Sequence, residues 1–230
     1  MMKKRTAGLA KLLALALVAL MVYSGCRAWQ TYSNYSAEAN MHRAVMNYRP
    51  EPEQMINQNV IDLQTKYPDA AGWLTVPGTK IDYPFVWYSD NDHYLRRDIN
   101  GEYALAGTLF MDTRCPPEFT SKNTIIYGHH MKNGSMFGTL KSFADTDFFN
   151  THQTGTIYLP RQTLGLEIFA YMIVQATEQQ IYGKLDLDYV KQNARQYRDI
   201  ELVGEDKFVT LSSCSYEFNN ARMVLIARMK

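Results

Sequence analysis

Residues 210–214 read Thr-Leu-Ser-Ser-Cys and residues 222–228 read Arg-Met-Val-Leu-Ile-Ala-Arg, and these two stretches decide the fold. The apolar and β-branched residues in and just before each stretch predict two strands joined by a short polar loop. Cys214 and Arg222 are therefore expected at facing strand ends. In that position a thiol and a guanidinium reach one substrate.

The residues around Cys214 favour a chemical role for its thiol. A thiolate is the reactive form of cysteine, and a fixed cation lowers the pKa of a thiol and can hold a developing oxyanion. A single cysteine on a strand is more often a small buried apolar residue. Here the small polar neighbours Ser212, Ser213 and Ser215 favour an open strand end. A base is still needed, and residues 127–130, Tyr-Gly-His-His, offer two histidines after a short apolar run.

These motifs resemble the sortase family, and within it class B. The resemblance covers about residues 50–230 and rests on segments that follow the family's order. They are Gly72-Trp73-Leu74, residues 81–84, 91–95, 107–112 and 127–137, and the stretch 210–214 followed by Arg222. The family's usual signature is Thr-Leu-x-Thr-Cys, and this chain has Ser213 in place of the second Thr. The change keeps a small hydroxyl.

The resemblance implies a mainly β fold with added helices. The expected fold is a closed β-barrel of about eight strands, with N-terminal helices and a helix before the strand that carries Cys214. It also implies a cysteine transpeptidase in which Cys214 is the nucleophile and Arg222 the electrostatic partner. Family position favours His129 over His130 as the acid and base, a choice that the residues alone do not make.

Six further residues are expected to contact the substrate because they match class B motifs: Ser212, Asn91, Leu95, Thr177, Ile181 and Tyr182. The last three belong to the segment before the helix that precedes the cysteine strand, and would form the far wall of the peptide groove. Asp112 and Glu217 are possible carboxylates for orienting the histidine. Nothing in their spacing decides between this role and an ordinary solvated position.

The N-terminus combines basic residues with an apolar run that is interrupted only by Lys11. About 20 apolar residues span a bilayer core, and positive charge before them keeps the N-terminus inside the cell. We expect a cytoplasmic N-terminus, a transmembrane signal-anchor, a stalk or N-terminal helix, and an extracellular catalytic domain, at residues 1–6, 7–26, 27–50 and 51–230. Lipoprotein processing at Cys26 and ordinary signal cleavage are alternatives.

Shorter patterns predict the elements of the catalytic domain. Pro50-Glu51-Pro52 introduces a helix that ends before Pro68, and short apolar runs between turn residues predict barrel strands from Trp73 onward. A short helix is predicted over residues 135–149. A second is predicted over residues 185–197, where apolar residues recur at helical spacing.

Composition limits the other possibilities. With 230 residues, 46% of them apolar, the chain can bury one sizeable core. A net charge of +1 gives no electrostatic case for nucleic acid. Three widely separated cysteines make a disulfide framework unexpected. The five histidines lack metal-ligand spacing, so we expect no metal and no other cofactor.

The predicted protein is a membrane-anchored transpeptidase of a Gram-positive bacterium. It would cleave the sorting-signal peptide of exported proteins and transfer the acyl group to an amine of the peptidoglycan precursor or cross-bridge. Alternatives are a sortase that polymerises pilin through a lysine acceptor, a cysteine peptidase or amidase that uses water, and a noncatalytic binding module in which Cys214 is only packed.

Overall fold

The computed structural model describes residues 2–52, 54, 56–215 and 217–230, with side chains from Lys11 onward. The chain divides into two compact units, residues 1–41 and residues 42–230. Helix α1, Met2–Val45, is followed by one 3₁₀ turn, Met46–Tyr48. Residues 11–48 include an 18-residue window with a mean hydropathy of 1.7. This helix is long and apolar enough to cross a membrane, a criterion that a signal sequence also meets.

Among the described residues of the second unit, nine strands form one sheet. They are β1 Ala70–Thr75, β2 Asp82–Val86, β3 Leu109–Met111, β4 Asn123–Tyr127, β5 Thr154–Leu159, β6 Gln162–Gln175, β7 Gln196–Tyr197, β8 Lys207–Cys214 and β9 Ala221–Met229. The order is β5-β1-β2-β3-β4-β8-β9-β6-β7, and an additional β5–β6 pairing closes eight of the strands into a barrel. Strand β7 pairs with β6 beside the closed part. The predicted barrel is confirmed.

Short helices and 3₁₀ turns connect the strands. The helices are α2 Gln58–Lys66, α3 Thr146–Thr151, α4 Gln179–Tyr182 and α5 Leu187–Asn193, and the longer 3₁₀ segments are His93–Arg96 and Gly138–Ala144. The helix predicted after Pro52 thus begins at Gln58. The helix predicted over residues 135–149 is a 3₁₀ segment followed by α3.

Strand β6 shows why the barrel has a second apolar layer. Its first half alternates between buried and less buried residues, as expected when one face lines the barrel interior. From Phe169 to Met172 both faces are buried. The outward side chains of this half pack with Ile181, Val190 and Phe208 in a separate cluster under α4 and α5. The segment before β8 therefore covers the outside of the barrel and brings α4 to one end of β8.

The helix predicted over residues 185–197 was too long. Helix α5 begins after Asp186, whose side chain accepts the N–H of Tyr189 at 3.0 Å, and it ends at Asn193. After that the backbone bonds to β6, with the N–H of Arg195 donating to the carbonyl of Tyr171 at 2.9 Å. The exposed edge of β6 supplies acceptors that the helical spacing of the sequence does not reveal.

Candidate active site

Two strand pairings bring the cysteine and the arginine together. Strand β8 lies between β4, with which it is parallel, and β9, with which it is antiparallel. In the register of β8 and β9, Cys214 lies directly opposite Arg222. The guanidinium of Arg222 uses one N–H to donate to the carbonyl of the buried Ala221 at 3.1 Å. Cys214 and Arg222 themselves are both half-buried. The geometry expected from the two sequence stretches is therefore present.

The loop after β4 carries the histidines, and Gly128 lets it pass close to the core. A Cβ atom at Gly128 would lie 2.7 Å from the ring of Phe137, so only glycine fits without displacing that ring. The Nε2 atom of His129 lies 2.6 Å from the carbonyl oxygen of Leu95. Because a carbonyl only accepts, Nε2 carries the proton in this contact, and Nδ1 is the other ring nitrogen available for proton exchange.

A cleft of about 270 Å³ opens at these strand ends. Its lining includes most of the predicted site residues: Asn91, Leu95, His129, Tyr182, Ser212, Cys214 and Arg222. His130 does not line it, although its Nδ1 atom lies 3.2 Å from the carbonyl oxygen of Cys214. The structure thus distinguishes two adjacent histidines that the sequence left equivalent.

Thr177 and Ile181 are not brought to the cleft. The side chain of Ile181 is fully buried in the apolar cluster under α4 and α5. Thr177 is exposed in the turn before α4, and its carbonyl accepts from the side chain of Gln179 at 3.3 Å. Of the three residues predicted for the far wall, Tyr182 alone lies in the lining, because α4 turns its last residue toward β8.

Tyr182 is fixed by the strand that carries the nucleophile. Its hydroxyl lies 2.8 Å from the Oγ atom of Ser212, and both side chains are buried. Burial raises the pKa of Tyr182 to about 12, so the phenol stays protonated and can donate. The Ser212 side chain therefore connects strand β8 to Tyr182 in the far wall of the cleft.

Neither predicted carboxylate touches His129. Asp112 is 1% exposed and accepts a bidentate pair of bonds from Arg114, at 2.8 and 2.7 Å, and one from the hydroxyl of Tyr127 at 2.8 Å. Burial raises the pKa of Asp112, but the bonds from Arg114 and Tyr127 outweigh it and hold the pKa below its usual value. Glu217 instead pairs with Arg195.

His129 is held mainly in its neutral form. Burial lowers the pKa of His129, its bond to the carbonyl of Leu95 raises it, and the nearby charge of Arg96 lowers it. The net effect is a pKa below the usual histidine value. A small imidazolium fraction at neutral pH follows from this balance.

Sequence reasoning missed two aromatic residues of the cleft, Phe110 and Tyr127. Their ring centroids lie 5.3 Å apart, and they occupy paired positions on β3 and β4. Tyr127 is the last residue of a predicted strand and directly precedes Gly128. This position, next to the histidine motif, could have indicated that Tyr127 lies in the cleft. Its bond to Asp112 becomes visible only when β3 and β4 are paired.

A family model described as Sortase domain matches residues 74–230. The chain belongs to the sortase family. Sortase B of Listeria monocytogenes is 33% identical over 239 residues, a match that covers 96% of each chain. This similarity, over nearly the full length, identifies the protein as a sortase of class B and as a cysteine transpeptidase.

Solved structures agree with this classification. Sortase B from Bacillus anthracis in complex with AAEK1 has a TM-score of 0.75 and 29% identity, covering 86% of this sortase and 98% of that chain. A Streptococcus pyogenes class B sortase involved in pilus biogenesis has a TM-score of 0.69 and 34% identity, covering 74% and 97%. The barrel and its added helices are therefore those of class B sortases.

Proposed function

We propose that this sortase cleaves a C-terminal sorting signal of exported proteins and transfers the acyl group to an amine of the peptidoglycan precursor or cross-bridge. The observation that supports this most strongly is the shared cleft of Cys214, His129 and Arg222. These three side chains supply a nucleophile, an acid and base, and a fixed cation.

In the first half-reaction, the thiolate of Cys214 attacks a backbone carbonyl carbon of the signal peptide. A carbon–sulfur bond forms, and the carbonyl oxygen becomes an oxyanion that faces the guanidinium of Arg222. The carbon–nitrogen bond then breaks while His129, as imidazolium, gives one proton to the leaving amine. The products are a thioacyl enzyme, a free C-terminal fragment and a neutral imidazole.

In the second half-reaction, an acceptor amine attacks the thioacyl carbon. Neutral His129 takes a proton from this amine, the new amide bond forms, and the thiolate of Cys214 leaves. Since Nε2 donates to the carbonyl of Leu95, we assign the transferred proton to Nδ1. Water can replace the amine, so slow hydrolysis is expected when no acceptor is present.

The cleft offers donors for an extended peptide. The side-chain oxygen of Asn91 accepts the N–H of Thr113 at 2.9 Å, which leaves its amide nitrogen to donate to a peptide carbonyl. Asn91 precedes the 3₁₀ turn 93–96 and Leu95 lies within it, and both residues line the cleft together with Tyr182. The resemblance to class B sortases, and not the cleft geometry, implies a signal that begins with Asn-Pro or a related dipeptide rather than with Leu-Pro.

The N-terminal helix supports a location at the cell membrane. We propose that residues 7–26 cross the membrane once, with residues 1–6 in the cytoplasm and residues 51–230 outside the cell. Basic residues precede the apolar run, which favours this orientation. Residues 27–50 would then hold the catalytic domain near the membrane surface, where exported substrates and peptidoglycan precursors meet.

The test uses the full chain in detergent micelles and a quenched peptide that contains an Asn-Pro signal. Fluorescence reports cleavage, and mass spectrometry reports the product with and without an added glycine peptide. Cleavage that depends on Cys214, with a glycine-linked product, supports transpeptidation. If the signal peptide is hydrolysed at the same rate with and without the glycine peptide, and no linked product forms, the protein acts as a peptidase. Cleavage that persists in Cys214→Ala contradicts the assigned nucleophile.

Pilin polymerisation is the second candidate. The similarity to the Streptococcus pyogenes sortase involved in pilus biogenesis, at 34% identity, is the observation that favours it. The acceptor would then be a lysine side chain of a protein. Competition between a glycine peptide and a lysine-containing pilin-like peptide in the same reaction separates the two functions, because the mass of the linked product identifies the amine used.

A further inference from the structure

The hydrogen-bond ladder between β4 and β8 ends at the cleft. Its last backbone bond runs from the N–H of Gly128 to the carbonyl of Ser212 at 3.1 Å. Beyond that point two side chains continue the contact between the segments. The Oγ atom of Ser213 donates to the carbonyl of Gly128 at 2.7 Å, and the Nδ1 atom of His130 donates to the carbonyl of Cys214 at 3.2 Å.

These two bonds lie on either side of His129. Gly128 precedes it and is tied to Ser212 and Ser213, whereas His130 follows it and is tied to Cys214. The carbonyl of His129 itself accepts the N–H of Phe137 at 3.0 Å. A shift of the His129 backbone along β8 would therefore break contacts at both neighbours. The acid and base is thus held in register with the nucleophile from both sides.

The bond from His130 does not need a particular charge on that ring. A carbonyl only accepts, so Nδ1 must carry a hydrogen, which is true of one neutral tautomer and also of the imidazolium. His130 lies outside the lining of the cleft. Its contact with the backbone of the nucleophile fits a role in geometry and not in proton transfer.

We propose that His130 is a positioning residue that, together with Ser213, aligns His129 with Cys214 for catalysis. The proposal rests on the proposed function, because it assumes that His129 and Cys214 carry out the reaction. It gives separate tasks to two adjacent histidines: one exchanges protons in the cleft, and the other fixes the segment that carries the first.

The decisive comparison is between His130→Asn and His130→Leu. Asparagine and leucine have similar shapes, but only asparagine places an amide N–H near the position of Nδ1. We expect His130→Leu to lower kcat for the quenched peptide about fivefold to tenfold, the effect of one lost hydrogen bond, with KM unchanged. His130→Asn should stay within about twofold of the parent chain. Equal kcat values for the two variants would overturn the proposal.

His152→Leu is the matched control. The Nδ1 atom of His152 lies 2.9 Å from the carbonyl of Phe148, a contact of the same kind outside the cleft lining. We expect this variant to lower the melting temperature of the full chain without changing kcat. A similar fall of kcat in His152→Leu would show that general destabilisation explains the His130 result, and would contradict the proposal.

Ser213→Ala independently tests the bond from the Ser213 hydroxyl to the carbonyl of Gly128. It should lower kcat and leave KM unchanged, and the double variant Ser213→Ala with His130→Leu should lose less than the product of the two single losses, because both bonds hold one segment. A strictly multiplicative loss contradicts a shared task. If His130→Leu does not fold, Ser213→Ala decides alone: unchanged kcat overturns the proposal.

Two further variants separate this inference from the proposed function. Cys214→Ala and His129→Ala should abolish cleavage whatever His130 does. If both abolish it while the His130 and Ser213 variants match the parent chain, the positioning role fails alone. If either retains cleavage, the proposed mechanism itself fails.

Discussion

The two ends of strand β8 differ in what their side chains contact. At its beginning, Phe208 is 6% exposed and packs edge-on against Phe169, with ring centroids 5.9 Å apart. At its end, residues 212–214 face the cleft, and the hydroxyls of Ser212 and Ser213 bond to Tyr182 and to the backbone. One end contributes apolar burial, and the other contributes fixed polar groups. A single strand thus contributes to the stability of the barrel at one end and carries the nucleophile at the other.

We therefore expect stability and activity to respond to different positions along β8. A change at the first end should alter the free energy of unfolding and leave the chemistry of folded molecules in place. A change at Cys214 should do the opposite, since this residue is half-buried and does not belong to the apolar cluster that contains Phe208.

Cys214→Ala should give the largest loss. Removal of the nucleophile eliminates the thioacyl intermediate, so cleavage of the quenched peptide should fall by at least about 1,000-fold. The melting temperature should stay close to that of the parent chain, because only one half-buried sulfur is removed. Cleavage kinetics and calorimetry on the same preparation check both statements. A large drop in melting temperature would break the contrast between the two strand ends.

Phe208→Ala should reverse this pattern. Deleting a buried phenyl ring leaves a cavity, and the free energy of unfolding should fall by about 3–5 kcal/mol. Urea unfolding measures the loss, and the same unfolding curve gives the folded fraction under the conditions of the activity assay. Activity per folded molecule should remain near that of the parent chain. Phe208→Leu is the milder companion and should lose less stability.

Arg222→Gln tests the fixed charge at the cleft. The variant keeps hydrogen-bond donors but removes the guanidinium that faces the oxyanion, so kcat/KM should fall about 100-fold. Arg222→Lys should recover only part of this loss, because an ammonium cannot reproduce the planar fork of donors. Steady-state kinetics across the three chains measure the effect. Full activity in Arg222→Gln would exclude electrostatic stabilisation by this residue.

Asp112, which bonds to Tyr127 in the cleft wall, should make the free energy of unfolding depend on pH in the acid range. Its pKa is lowered in the folded chain, so its contribution is present above the unfolded pKa near 4 and is lost as the pH falls through the folded value. Urea unfolding between pH 3 and pH 7 should show this loss in the parent chain. Asp112→Asn should be less stable at neutral pH and should show a flatter dependence below about pH 4. An identical slope in both chains contradicts the assignment.

Tyr182→Phe should have the smallest effect. It removes the partner of the buried Ser212 hydroxyl, and the free energy of unfolding should fall by about 1 kcal/mol. Catalysis should change by no more than about twofold, since the ring remains in the cleft wall. Adding Ser212→Ala to this variant should recover part of the stability, because no hydroxyl is then left unpaired. A double-mutant cycle of unfolding free energies provides the measurement.

Much of the fold could be predicted from local sequence patterns. The runs around Ile125 and Val224 are short and apolar, which suits strands that are covered on both sides, and the turn residues between such runs mark the barrel. The segment 185–197 shows the limit of this reasoning. Its apolar spacing is helical, but residues 196–197 pair with β6 because that edge offers backbone partners.

The residues of the cleft could likewise be predicted only in part. Cys214 and Arg222 could be paired from sequence because only a short loop separates their strands. Ile181 and Tyr182 are neighbours in sequence, yet one side chain enters the apolar cluster and the other lines the cleft. That division depends on the direction in which α4 packs against the barrel, and residue type does not encode it.

Local sequence patterns were enough to place Cys214 and Arg222 at facing strand ends, because strand periodicity and turn residues act over a few neighbouring positions. The folded barrel was needed to show which histidine enters the cleft, that the Leu95 carbonyl contacts it while Asp112 and Glu217 have other partners, and that Tyr127 lies in the cleft wall. These outcomes depend on pairing β8 with β4, whose residues lie more than 80 positions apart in the chain. Long-range pairing of this kind is set by the packing of the whole barrel and not by any local pattern.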